Sequence, residues 1–292
     1  MLSRRSFLGL AGGVVVLAAC GGGDDSGGSS GNTLAPEPTD SNGFSELAPV
    51  VLSGDLYASP TPQRFAFALT AKQGFASQGD LTVAVAPQGT KPTDFVPTTL
   101  HEAGLPENRG VYVADVVFDH EGIWDAAADR DGKHLPFAVQ VKPKPDAPAV
   151  GDPAPKAASP TTKNALGVDP ICTRNPMCPL HTTSLDTVIG KGKPVAVLFA
   201  TPARCVSKYC GPVLDSLLPL TGSYADKIHI VHVDIYKNAQ TDETSPTVTA
   251  WNIPSEPWFF GVDAGGKITA RLDGAFGQDE MRAVLDSLAG SK

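Results

Sequence analysis

Thr201-Pro-Ala-Arg-Cys-Val-Ser-Lys-Tyr-Cys-Gly-Pro212 holds two cysteines, Cys205 and Cys210. The apolar run Pro194-Val-Ala-Val-Leu-Phe-Ala200 leads into it and reads as a buried strand; Val213-Leu-Asp-Ser-Leu-Leu-Pro-Leu220 leads out and reads as a helix. Geometry limits what the pair can do. On a regular α-helix, residues five positions apart have Cα atoms roughly 8–9 Å apart and point about 140° apart around the axis. A disulfide needs Cα atoms within about 7 Å. Pro212 fits only the first turn of a helix, so the helix starts near Cys210 or Gly211 and Cys205 stays in the loop. There the positive helix end, Arg204 and Lys208 all favour a thiolate on Cys205.

Downstream, Lys227-Ile-His-Ile-Val-His-Val-Asp-Ile-Tyr236 alternates as a strand. It places His229 and His232 on opposite faces, where they cannot share a metal, so both read as structural. A short helix around Val248-Thr-Ala-Trp251 follows. Pro257 immediately precedes the strand Trp258-Phe-Phe-Gly-Val262, Ala264-Gly-Gly-Lys267 is a hairpin turn, and Ile268-Thr-Ala-Arg-Leu272 returns. Met281, Val284, Leu285 and Leu288 mark a terminal helix over 278–288.

Strand, cysteine-bearing helix, strand, helix, proline, strand, strand, helix resembles the thioredoxin fold over 191–288. That resemblance implies a cis proline lying against the reactive pair; Pro257 matches its position, and Pro254, three residues earlier, is the competitor. The motif departs from the usual Trp-Cys-x-x-Cys of that family: Arg204 stands in the tryptophan position and four residues separate the cysteines. Gly151-Asp-Pro-Ala-Pro155 resembles the entry segment of extracytoplasmic members.

Residues 47–143 read as strands with alternating patterns, among them Arg64–Thr70, Asp80–Ala86, Gly110–Phe118, Gly122–Ala128 and Leu135–Val141. Their spacing predicts an immunoglobulin-like β-sandwich with Trp124 in its core. His101, His120 and His134 lack close spacing and read as turn residues. The proline-rich stretch 144–155 predicts a semi-rigid spacer before an α/β domain over 156–292.

Five cysteines are present. Leu17-Ala-Ala-Cys20 resembles a lipobox at the end of a short apolar run, and Ser3-Arg-Arg-Ser-Phe-Leu8 resembles a twin-arginine export signal, a route that carries folded proteins. The expectation is a signal over 1–19, a lipid on Cys20, a disordered tether over 20–46, and a monomer held at the extracytoplasmic face of the cell membrane. Cys172, Cys178, Cys205 and Cys210 then remain, an even number that suggests two disulfides outside the cytoplasm. Three pairings are open; 172–178 with 205–210 is the simplest. Net charge of −8 gives no footprint for nucleic acid.

The predicted function is thiol–disulfide exchange with protein or small disulfides, without a cofactor. Cys205 is the nucleophile, Cys210 the resolving thiol, and Pro257 borders the site. Three alternatives stand beside it. A thiol peroxidase is disfavoured because Thr201 lies one position too early for the peroxidase motif it is similar to. A non-catalytic binding module would keep both pairs as staples. A copper(I)-binding protein or metallochaperone would use soft ligands, and Cys172, Met177, Cys178 and His181 are the candidates, although no metal is the primary expectation.

Overall fold

The computed structural model describes residues 43–290, apart from 93, 206, 207 and 239. The described residues all belong to one compact unit, Asp40–Lys292. The expected signal, the lipidated Cys20 and most of the tether lie outside the described residues.

The described chain opens on a short 3-10 helix, Phe44–Glu46, with Phe44 buried although the expected tether runs to residue 46, and continues with strands β1 (Ala48–Val51), β2 (Gln63–Ala71), β3 (Gly74–Ala76), β4 (Thr82–Pro87), β5 (Val96–Pro97), β6 (Thr99–His101), β7 (Val111–Val116), β8 (Gly122–Arg130) and β9 (Lys133–Val141). They form two antiparallel sheets, β1-β2-β7-β6 with β3 on β2, and β5-β4-β8-β9. Period-2 alternation decides which side chains turn inward. Phe65, Phe67 and Leu69 of β2 meet Trp124, Ala126 and Ala128 of β8 in one buried core. Trp124 is in that core as expected, and its indole N–H donates to the His120 carbonyl at 3.1 Å. Asp131 and Gly132 both take positive φ, 56° and 81°, which a two-residue hairpin between β8 and β9 requires.

The remaining elements are α1 (Leu185–Val188), β10 (Val195–Phe199), α2 (Cys210–Tyr224), β11 (His229–Val233), α3 (Pro246–Trp251), β12 (Trp258–Val262), β13 (Ile268–Asp273) and α4 (Gln278–Gly290). Their sheet runs β11-β10-β12-β13; β11 is parallel to β10, whereas β12 is antiparallel to both β10 and β13. Every residue of β10 and β12 is buried, because helices cover both faces. Ala196, Leu198 and Phe259 face the core shared with α2 and α4; Val195, Val197, Phe199 and Phe260 face the core shared with α1 and α3. Helix α2 runs through Pro219 to Tyr224, a turn beyond the expected end, with Leu214, Leu217, Leu220 and Tyr224 buried along it. Burial of that face offsets the hydrogen bond that proline removes.

The stretch over 144–155 is not a free spacer. The Gly151 N–H donates to the Ile268 carbonyl, the Ile268 N–H to the Asp152 carbonyl and the Ala154 N–H to the Gly266 carbonyl, each at 2.9 Å. Ala147 and Ala154 are buried in the core with α1 and α3. Asp55 anchors the entry: its carboxylate accepts the N–H groups of Asp146 and Ala147 and pairs with Lys142 and Arg271. A second tie joins β2 to α4, where the Arg64 guanidinium grips Glu280 at 2.8 Å and donates to the carbonyls of Asp273 and Ala275.

Candidate functional site

The cysteine loop grows from the end of β10. Thr201 is buried; its N–H donates to Glu256 Oε2 at 2.8 Å and its hydroxyl oxygen accepts the Ile235 N–H at 3.0 Å. The Thr201 carbonyl accepts the N–H groups of Arg204 and Cys205, so 201–205 closes one turn. Cys205 is half-buried and sits in this loop; Cys210 is fully buried and opens α2. The two are joined by a disulfide with Cα atoms 5.8 Å apart. The Cys210 N–H, one of the free donors at the start of α2, points at Cys205 Sγ from 3.3 Å. Pairing of Phe199 with Trp258 brings Pro257 beside this loop, and the Glu256–Pro257 bond is cis.

Glu256 was not anticipated. One of its carboxylate oxygens lies within 4.8 Å of both sulfurs. Burial pushes its carboxyl up from the usual range, against the Thr201 hydrogen bonds, which pull it down. Arg204, expected to act on Cys205, is engaged elsewhere: it pairs with Asp242, donates to the carbonyls of Asn238 and Thr241, and lies 4.3 Å over the Tyr236 ring. The N-terminal sheets brace the other side of the loop. Arg109 donates to the Lys208 carbonyl, and Phe75 meets the buried Tyr209 edge-on at 5.5 Å. Burial lifts the Tyr209 hydroxyl to about 12.

A second group of sulfurs lies nearby. The expected Cys172–Cys178 disulfide is not formed; both residues are free and buried. They sit with His181 and His232, and the four ligating atoms lie within 4.8 Å of one another. Met177 is half exposed and outside this group. The His232 ring contacts Cys172, Cys178 and His181, so it does more than fill its strand. It does lie on the opposite face from His229, but its partners come from the 172–181 segment, which covers the β11 edge. Leu180 accepts the His232 N–H, and Thr173 donates twice to Asp234. The Cys178 sulfhydryl holds Cys172 well below the ordinary thiol range, and the same contact together with burial raises Cys178. Burial pushes His232 down, but the Cys172 sulfur and Asp234 outweigh it, and the net direction is up.

A strand leads to a cysteine loop and helix, a parallel strand lies beside it, and a cis proline opens an antiparallel hairpin that a last helix covers. The C-terminal half of the chain is a thioredoxin-like domain. No family model matches the chain, and no curated protein matches it. Among solved structures, a thiol:disulfide interchange protein of the thioredoxin family from Chlorobium tepidum TLS overlays with a TM-score of 0.34 at 16% identity, covering 49% of this chain and 100% of that one. The pneumococcal exposed lipoprotein thioredoxin from Streptococcus pneumoniae strain TIGR4 gives 0.26 at 17% identity, covering 34% and 87%.

Within the thioredoxin-like domain, the structure brings Cys205, Cys210 and Pro257 to one end of the sheet, and Cys172, Cys178 and His181 to the β11 edge. The signal for His232 was present but faint: a histidine among β-branched residues on a buried strand. Glu256 left none beyond its place before Pro257.

Proposed function

We propose that the protein carries out thiol–disulfide exchange through Cys205 and Cys210. The observation that carries this reading is the half-buried Cys205 sulfur facing the Cys210 N–H at the start of α2, with its bonded partner fully buried. That N–H and the helix end stabilise a thiolate on Cys205 once the pair is reduced. Buried Cys210 is protected from outside disulfides and is reached only by Cys205.

In the reductive direction the Cys205 thiolate attacks one sulfur of a partner disulfide. A mixed disulfide forms and the second partner sulfur leaves as a thiolate, which takes a proton from water. Cys210 then loses its proton, for which Glu256 is the nearby acceptor, and attacks Cys205. The Cys205–Cys210 bond re-forms and the first partner sulfur leaves reduced. The chain's dithiol is oxidised by two electrons and the partner disulfide is reduced by two. The reverse sequence oxidises a partner dithiol.

The finer organisation belongs to the same proposal. Strand orders β1-β2-β7-β6 and β5-β4-β8-β9 support reading the two N-terminal sheets as the A-B-E-D and C′-C-F-G sheets of an immunoglobulin-like sandwich. A lipid on Cys20 would hold a monomer at the extracytoplasmic face of the membrane, where partner disulfides persist. Among the described residues no helix is long and apolar enough to cross a membrane.

Cys210→Ser tests the chemistry. Incubation with a disulfide substrate should accumulate a mixed disulfide on Cys205, seen by mass spectrometry of the peptide, and Cys205→Ser should accumulate none. An unreactive Cys205 in the reduced protein would sink the proposal.

A further inference from the structure

We infer that Cys172, Cys178, His181 and His232 form a four-coordinate site for a divalent metal ion of the zinc class. This inference is independent of the exchange reading, which concerns other sulfurs.

The donors have the right identity, number and spacing. A tetrahedral ion with bonds of about 2.3 Å to sulfur and about 2.0–2.1 Å to nitrogen has edges of roughly 3.5–3.6 Å between sulfur and nitrogen and roughly 3.3–3.4 Å between nitrogens. His232 Nδ1 lies 3.4 Å from Cys178 Sγ and 3.8 Å from Cys172 Sγ. It lies 3.2 Å from His181 Nε2. These separations surround a point that a single ion would occupy, and they bring three residues of the 172–181 segment against a histidine 51–60 positions later.

The hydrogen bonding prepares the ligands. His232 Nε2 faces the Ala200 carbonyl at 2.9 Å, so it carries the proton and Nδ1 presents a lone pair to the sulfurs. His181 Nε2 faces that same lone pair, while His181 Nδ1 is buried with no partner. Two imidazoles are thus aimed at each other and at two sulfurs. All four side chains are buried, with Cys172 the most accessible at 5%. Protons alone serve this cluster poorly; a cation at its centre satisfies all four ligating atoms at once.

Charge selects the ion. Two thiolates, two neutral imidazoles and a dication sum to zero, the least costly total to bury. Copper(I) would leave a net negative charge beside Asp234. Two sulfurs and two nitrogens in tetrahedral array suit zinc, and four protein ligands leave no open position, which makes the site structural rather than hydrolytic.

The site would pin the 172–181 segment to the β11 edge. It would also steady the cysteine loop, because the His232 ring bonds Ala200 and Thr173 Oγ1 accepts the Ala203 N–H at 3.3 Å. A twin-arginine route would let the ion load in the reducing cytoplasm before export.

The test uses the reduced full-length protein with Zn2+ or Co2+ alone. The expected result is one ion per chain, Co2+ giving the intense visible bands of a tetrahedral thiolate site, and more than tenfold weaker binding in Cys172→Ser and in His181→Ala. The Cys205→Ser/Cys210→Ser double variant should retain full binding. Circular dichroism of each variant identifies any that fails to fold, and the other single variant then decides. The inference is overturned if the folded, reduced protein takes neither ion, or if binding follows Cys205 and Cys210. Binding of copper(I) only would overturn the divalent assignment. A Cys172–Cys178 disulfide that forms equally fast under saturating Zn2+ would make the cluster a staple.

Discussion

Glu256 is the residue whose role depends most on its surroundings. Burial raises its carboxyl pKa, so at low pH it is protonated and cannot take the Cys210 proton. As pH rises through that raised value it ionises and becomes a base. The rate of mixed-disulfide resolution should therefore climb through a limb above the ordinary carboxyl range. Glu256→Gln should lose this limb and slow resolution by about 100-fold, within the usual reach of general base catalysis; stopped-flow thiol release across pH checks both. The stability sign is opposite. A carboxyl whose folded pKa exceeds its unfolded value stabilises the fold at low pH, and that contribution fades as pH rises through the folded value. Between pH 4 and pH 8, wild type should lose stability relative to Glu256→Gln in urea denaturation. The loop position of Cys205 was legible in the sequence because Pro212 constrains where a helix can begin. Glu256 was not, because a carboxylate in a polar loop has no periodicity, and its burial is created by the end of β10 and by Thr201.

Among the elements, α4 lies close against β12 because Gly261 has no side chain. A Cβ there would stand 2.9 Å from Val284 Cγ1 and 3.2 Å from Ala270 Cβ. Gly261→Val should push α4 off the sheet and cost about 1–3 kcal/mol of stability, the usual cost of overpacking. Measurement of the urea midpoint with an unchanged slope would confirm it, and a midpoint equal to wild type would refute the packing account. The β11 edge shows the other side of element-level control. An open edge strand invites pairing with another chain, and here the 172–181 segment covers it. The sequence marked that segment as a small cysteine loop. Where it docks could not be read, because its contacts are hydrogen bonds and side-chain packing against a strand about 50–60 residues later.

For the whole molecule, the decisive finding is that the N-terminal sheets and the thioredoxin-like domain share buried polar ties. Arg64 and Glu280 are almost completely shielded, with side-chain exposures of 11% and 8%. Breaking such a pair leaves a buried charge without its partner and typically costs about 3–5 kcal/mol. Arg64→Ala should lower stability by that amount in equilibrium urea unfolding, whereas a loss below about 1 kcal/mol would show that the two parts stand without the tie. Gly274 belongs to the same joint. Its φ is +79°, and a Cβ there would lie 1.7 Å from the Leu52 carbonyl oxygen. Gly274→Ala should therefore reduce the folded yield sharply, as measured by soluble expression and circular dichroism. Through Arg109 and Phe75 the N-terminal sheets also reach the cysteine loop, so their contribution goes beyond spacing.

By itself the sequence determined the local patterns: alternation for the strands of the first half, apolar runs for the covered sheet and Pro212 for the start of α2. These follow from short-range sterics and periodicity, which a linear chain carries in full. Only the tertiary structure decided that the proline-rich stretch docks against β13, that Arg204 turns toward Asp242, and that His232 rather than Met177 completes the group around Cys172 and Cys178. Each of these depends on which distant surfaces meet and how much water they exclude. The free energy of a buried charge or ligand is set by that enclosure, and no stretch of sequence contains it.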